Sequence, residues 1–215
     1  MYRIVFAVII AVCAGCEHKS IWSNENLTPP TAPLALTTEP EEIRAVNDQP
    51  MTTAVSYDEF GISSVHRAAQ ADDTRELQRL LAAGVDVNIR SKKSEWTPLI
   101  SAIVVKNIAA VRLLIEAGAD VNVASDVKTT PLHYSSGEIT DLLLVNGADV
   151  SARNENGWTP LHSACHFGRT DAVRLLLMHG ADFNAKTNDG MTALELAIQA
   201  DKQEVINLLK KQLAN

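Results

Sequence analysis

His162, Cys165 and His166 stand at spacings of three and four, which on a helix are neighbouring positions of one face. Zinc accepts both residue types, so zinc binding is the chemistry to weigh here. Other motifs that would carry chemistry are missing: there is no Gly-rich phosphate loop, no His-Glu-x-x-His, no pair of Cys-x-x-Cys motifs and no serine nucleophile elbow. The sequence therefore offers no catalytic residues, and no cofactor is expected. What remains to be explained is the set of elements on which these histidines sit.

Composition narrows the class. The chain has 215 residues, 46% of them hydrophobic, which is enough to build a core. Its 19 Lys and Arg against 26 Asp and Glu give a net charge of -7. Nucleic acid is excluded as the main partner, because neutralising phosphates requires a basic face. Only Cys13, Cys16 and Cys165 are present, so the fold is no disulfide-stapled scaffold.

Residues 1–16 place Arg3 before an unbroken apolar stretch from Ile4 to Gly15. As a helix those 12 residues would span about 18 Å against about 30 Å of hydrocarbon, too short for a comfortable membrane crossing. Charged start, apolar middle and small residues at the end are the layout of a secretory signal. The ending Ala14-Gly15-Cys16 resembles a bacterial lipoprotein signal, which implies lipidation of Cys16 as the first mature residue. Cys13 departs from the aliphatic residue usual three positions before that cysteine, and Glu17 after it implies the outer membrane. The expected location is the periplasmic side of the cell envelope, or a soluble secreted or periplasmic form if the cut falls elsewhere. Two acyl chains are what stable anchoring requires.

From residue 17 to 56 the composition shifts to Pro, Thr, Asn and Glu, with five of the eight prolines. Residues 17–59 hold two basic residues, Lys19 and Arg44, against eight acidic ones, so most of the net charge lies here. The segment reads as a flexible acidic tether that holds the C-terminal three quarters of the chain about 35 Å from the anchor.

Beyond Tyr57 a period appears. Ser63-Ser64-Val65-His66, Thr97-Pro98-Leu99-Ile100, Thr130-Pro131-Leu132-His133, Thr159-Pro160-Leu161-His162 and Thr192-Ala193-Leu194-Glu195 follow one another at 34, 33, 29 and 33 residues. In step with them run Ala83-Gly84-Val85-Asp86, Ala117-Gly118-Ala119-Asp120, Asn146-Gly147-Ala148-Asp149 and His179-Gly180-Ala181-Asp182. Two phased motifs over residues 57–215 resemble the ankyrin repeat. The resemblance implies an all-α solenoid of about five helix-turn-helix repeats, near 57–90, 91–123, 124–152, 153–185 and 186–215. It also implies that His66, His133 and His162 link adjacent loops by hydrogen bonds and that Cys165 takes the place of a packed alanine. Metal binding is therefore not expected.

Local physics agrees with the assignment. Thr caps a first helix and Pro occupies a first turn where no amide bond is lost. Runs such as Val111 to Ile115 and Val173 to Leu177 supply the buried stripe of a second helix, which a glycine then stops in the left-handed region. No single repeat can bury its own apolar face, so stability comes from stacking.

Two deviations carry information. The third repeat is four residues short between His133 and Gly147, about one helical turn, so a notch is expected around Ser135-Ser136-Gly137 beside Tyr134. The last repeat carries Gln199, Asp201, Lys202, Gln203, Lys210 and Lys211, and reads as a polar terminal cap.

By resemblance, variable residues on the concave face and at loop tips contact a partner. Arg67, Tyr134, His166 and Phe167 are candidates on the face, together with inner-wall positions such as Ser101 and Ser163. Arg90, Lys93, Trp96, Lys128 and Trp158 are candidates at the tips, the two tryptophans being equally suited to packing the loops. The family implies a non-catalytic, protein-binding scaffold, expected to act as a monomer. An immunity or inhibitor protein of the envelope is the leading expectation and an envelope assembly or stress-protection scaffold the alternative. A host-interaction protein and an enzyme are the remoter ones.

Overall fold

The computed structural model describes residues 57–58, 61–71 and 73–213. Within them ten helices form five consecutive pairs. The pairs are α1 (Ser64–Gln70) with α2 (Arg75–Ala82), α3 (Pro98–Val104) with α4 (Ile108–Glu116), and α5 (Pro131–Tyr134) with α6 (Glu138–Val145). They continue with α7 (Pro160–His166) and α8 (Thr170–Met178), then α9 (Ala193–Gln199) and α10 (Gln203–Leu213). First helices pack on the first helices of neighbouring pairs, and from α4 onward second helices pack on second helices. The all-helical stack of five repeats is as the spacing requires, and the shorter third interval is absorbed inside the third pair. The signal-like segment, Cys16 and the tether lie outside the described residues.

Three of the five first helices start where a threonine accepts an amide. The Thr97 Oγ1 takes the Ile100 amide at 3.4 Å, Thr159 takes that of His162 at 3.4 Å, and Thr192 that of Glu195 at 3.3 Å. Pro98, Pro131 and Pro160 occupy the first helical position at no cost in hydrogen bonds. Behind them Leu99, Leu132 and Leu161 are buried, and Leu77, Leu114, Leu143 and Leu176 close the core from the second helices. That core is one continuous cluster along the stack, which is why each repeat depends on the next.

The loops between pairs are stitched across repeats. Asn88 Oδ1 accepts the Asp120 amide at 2.9 Å, and Asn122 Oδ1 accepts the Asp149 amide at 2.8 Å. In the fourth loop the Asn188 amide bonds the Asn156 carbonyl at 3.0 Å, over Gly157. Gly157 has φ +72°, and a β-carbon there would meet the Asn188 amide nitrogen and Arg153 Nη2 at 2.9 Å. Gly157→Ala therefore combines left-handed strain with a backbone clash, at a cost of about 2 kcal/mol. Thermal unfolding should show a midpoint several degrees lower than wild type, and an unchanged midpoint would contradict this packing.

The third repeat departs from its neighbours as its length demands. Its first helix, α5, has 4 residues where α1, α3, α7 and α9 have 7. The chain leaves it through Ser135, whose hydroxyl donates to the Leu132 carbonyl at 3.0 Å and meets the buried Thr140 hydroxyl at 2.9 Å. Gly137, at φ 54°, then turns the backbone into α6.

Candidate partner-binding surface

One helical turn too few leaves carbonyls at the end of α5 without the amides a longer helix would supply. A side chain from the next repeat takes their place. Arg169 Nη1 donates to the His133 carbonyl at 2.8 Å and to the Ser135 carbonyl at 3.3 Å, on either side of Tyr134. Its guanidinium lies 4.9 Å over the Phe167 ring, a cation–π contact. Burial pushes the Arg169 pKa down to about 10, and the group stays charged. Sequence reasoning missed Arg169. The signal was its place next to the turn glycine Gly168, which Asn107 holds in the second repeat. Asn107 Nδ2 reaches back in the same way, to the Ala71 carbonyl at 2.6 Å and the Ala69 carbonyl at 3.3 Å.

Around this latch the structure assembles aromatic side chains from three repeats. Trp96 and Tyr134 are tilted against each other with ring centroids 5.6 Å apart. Trp158 meets the His166 ring edge-on at 5.2 Å, and His166 meets Phe167 edge-on at 4.9 Å. Tyr134, Trp158, His166 and Phe167 are all half-buried, each with one side packed and one side available. His166 Nδ1 is buried with no hydrogen-bond partner, and burial, then nearby Lys202, lowers the pKa of that imidazole. The ring is neutral at pH 7 and behaves as an aromatic plate. Half-buried aromatic side chains of this kind are the usual anchors of a protein interface.

Two expectations need correction. Trp96 is only 9% exposed, its amide held by Ser91 Oγ at 3.0 Å and its carbonyl by His66 Nε2 at 2.7 Å. It supports Tyr134 from below and is not itself a contact, because stacking on Tyr134 and the cross-repeat hydrogen bond both pull it inward. Ser101 and Ser163 are buried as well, and do not line an open wall.

The remaining candidates stand apart from the cluster. Arg67 is exposed on α1, 3.8 Å from Asp58. Arg90 Nη1 is shared at 3.0 Å between Glu95 and the Ala124 carbonyl, so it braces two loops. Lys93 and Lys128 are exposed at loop tips, Lys128 with φ 59°.

The histidines of the repeat motif are structural. His133 Nδ1 accepts the Thr130 amide at 3.3 Å, and its Nε2–H donates to the Trp158 carbonyl at 3.0 Å. His162 does the same with the Thr159 amide at 3.1 Å and the Ala185 carbonyl at 3.0 Å. With both nitrogens of His162 engaged, that residue is not free to join Cys165 and His166 around a metal ion. Among the described residues no group of His, Cys, Asp or Glu could hold a metal ion. Cys165 is fully buried, and burial pushes its thiol up to about 12. A water-soluble thiol reagent should leave Cys165 untouched in the native protein and modify it on unfolding; native-state labelling at that position would show the burial to be wrong.

Comparison with known proteins agrees with this architecture. A family model for ankyrin repeats (3 copies) matches residues 65–138 and 133–215. The chain is 29% identical over 180 residues to the B-cell lymphoma 3 protein homolog of Mus musculus, covering 79% of this chain and 39% of that protein. It is 32% identical over 134 residues to the human SH3 and multiple ankyrin repeat domains protein 2, covering 60% of this chain and 7% of that one. With Protein PhlB of Serratia liquefaciens it shares 33% identity over 101 residues, 47% of this chain and 44% of the relative. The chain thus spans less than half the length of each of these relatives.

Proposed function

Because the chain belongs to the ankyrin-repeat family, whose repeats generally bind other proteins, we propose that it grips a partner protein through the aromatic surface beside the shortened third repeat. The observation that carries this reading is the set of half-buried rings Tyr134, Trp158, His166 and Phe167 brought together from successive repeats around Arg169. Such a surface is prepaid in conformational entropy: the rings are already held, so a partner orders little on binding. No arrangement of acid, base and nucleophile accompanies it among the described residues, and the role is recognition, not turnover.

In the finer reading the setting is the bacterial cell envelope. Lipidation at Cys16 would fix the chain to the membrane, and residues 17–56 would let residues 57–215 search nearby space at raised effective concentration. An immunity or inhibitor role, blocking an envelope enzyme or toxin in a one-to-one complex, uses this arrangement most directly. An assembly or stress-protection scaffold is the alternative, and it calls for a larger complex.

Two measurements test the reading. Capture of partners on residues 57–215, followed by mass spectrometry, should return one protein whose recovery falls at least tenfold with Tyr134→Ala or Phe167→Ala. Undiminished capture would move the site elsewhere. Labelling of cells with a lipid precursor should mark the wild-type chain and not a Cys16→Ser variant; equal labelling would remove the anchor.

A further inference from the structure

The Arg169 guanidinium that latches α5 has a second edge. Its Nη1 bonds the His133 and Ser135 carbonyls, while Nε and Nη2 have no hydrogen-bond partner among the described residues. That edge reaches solvent, because the one side-chain nitrogen or oxygen both buried and unpartnered among the described residues is His166 Nδ1. Elsewhere in this chain the same edge holds carboxylates. Arg75 grips Asp73 through Nε, 2.8 Å from Oδ2, and through Nη2. Arg79 grips Glu76 with the same two nitrogens, each at 2.7 Å.

Arg169 is half-buried and charged, yet it makes no ion pair with a described carboxylate. A cation withdrawn from water without a counter-ion is costly, and an anion brought to it gains attraction that bulk water would weaken. A second cation stands one repeat on. Lys202 holds in the fifth repeat the position of Arg169 in the fourth, 33 residues later, and it too makes no ion pair with a described carboxylate. Its side chain lies along Gly168, where a β-carbon would meet Lys202 Cδ at 2.9 Å. From there its charge acts on His166, whose pKa it lowers after burial. The acidic residues of the fifth pair are engaged elsewhere: Glu195 accepts the Thr192 amide at 2.7 Å, Asp201 accepts from Gln203 Nε2 at 2.8 Å, and Glu204 from the Thr170 hydroxyl at 3.3 Å.

We propose that the free edge of Arg169 is the receptor for a carboxylate, so that the partner protein is recognised through an acidic segment. An aromatic or aliphatic side chain of that segment rests on the rings of Tyr134 and Phe167. A neighbouring Asp or Glu is taken bidentately by Nε and Nη2, with Lys202 adding to the attraction. Such recognition rests on the ring surface proposed above and narrows which proteins fit it. The chain's net charge of -7 does not oppose it. Most of that charge lies in residues 17–59, and salt screens exposed charges beyond about 8 Å at physiological ionic strength.

Selection of random peptides displayed on phage, against the full 215-residue chain, tests the receptor. Binders should be enriched in Asp and Glu next to an aromatic or aliphatic residue. For a selected peptide, changing its carboxylates to amides should weaken binding about tenfold, an effect that needs no change in the protein. Lys202→Gln should weaken it about threefold and Arg169→Lys about tenfold, while Arg67→Gln, at an exposed cation on the first repeat, should leave it unchanged. Binding should also weaken as salt is raised from about 50 to about 500 mM. Circular dichroism certifies the fold of each variant. Binders poor in acid that still need Tyr134 and Phe167 would overturn the carboxylate receptor and leave the ring surface standing. Binders indifferent to Tyr134→Ala and Phe167→Ala would remove the ring surface itself, and the receptor with it. Equal losses with Arg67→Gln and Lys202→Gln would mean diffuse attraction and would also overturn a receptor at Arg169.

Discussion

Acidification from pH 7 to pH 4 is expected to cost the array about 3 kcal/mol through His133 alone. His133 is buried, and its pKa is lowered from 6.5 to about 4, first by burial, against the pull of the Trp158 carbonyl, with His162 and Arg169 adding to the fall and Asp149 opposing it. Between those two values the unfolded chain binds a proton that the folded chain refuses, so stability rises with pH across the window. The contribution is complete above 6.5, is lost as the pH falls to about 4, and does not change below that. Structure gives the reason: a proton on Nδ1 would replace the lone pair that accepts the Thr130 amide. Burial lowers His66 and His162 in the same direction, which adds to the slope. Urea denaturation at pH 7, 6, 5 and 4 should show the loss, and His133→Gln should flatten much of it while lowering stability at pH 7. A wild-type stability that stays level from pH 7 to pH 5 would refute the account.

Removal of the Arg169 guanidinium should destabilise the protein by about 3 kcal/mol, because it strips two buried carbonyls of their donor and uncovers the Phe167 ring. The loss should be local as well as global. Hydrogen exchange in Arg169→Met should accelerate first from Leu132 to Thr140, around the end of α5, and in that variant partner capture should fall with it. Arg169→Lys keeps the charge but has no planar fork to span the His133 and Ser135 carbonyls, so it should recover less than half of the lost stability. Full recovery with lysine would mean that charge, not geometry, holds the notch.

Much of this was legible before any coordinates. Thr-Pro-Leu-His marks a helix start because capping and the lost proline amide are local chemistry, and the four missing residues before Gly147 had to shorten a helix. The site was legible in part. Tyr134, His166 and Phe167 stand out in the sequence because they sit at variable positions of the repeat, and the structure leaves them half-buried, whereas Trp96 and Trp158 precede Thr-Pro in identical fashion. Only the stacking of Trp96 on Tyr134, across two repeats, separates the buried ring from the half-open one. Arg169 was invisible for a similar reason: its role depends on an absence in the repeat before it.

The abbreviated α5 also has a mechanical consequence. A spring wound with equal turns flexes evenly, but one with a single clipped coil concentrates its compliance there. Strain imposed on the array would gather at the hinge between its second and fourth turns, where a guanidinium and a serine hydroxyl stand in for a full turn of backbone hydrogen bonds. A ligand seated on the rings beside that hinge would therefore stiffen the whole rod by bracing its weakest joint.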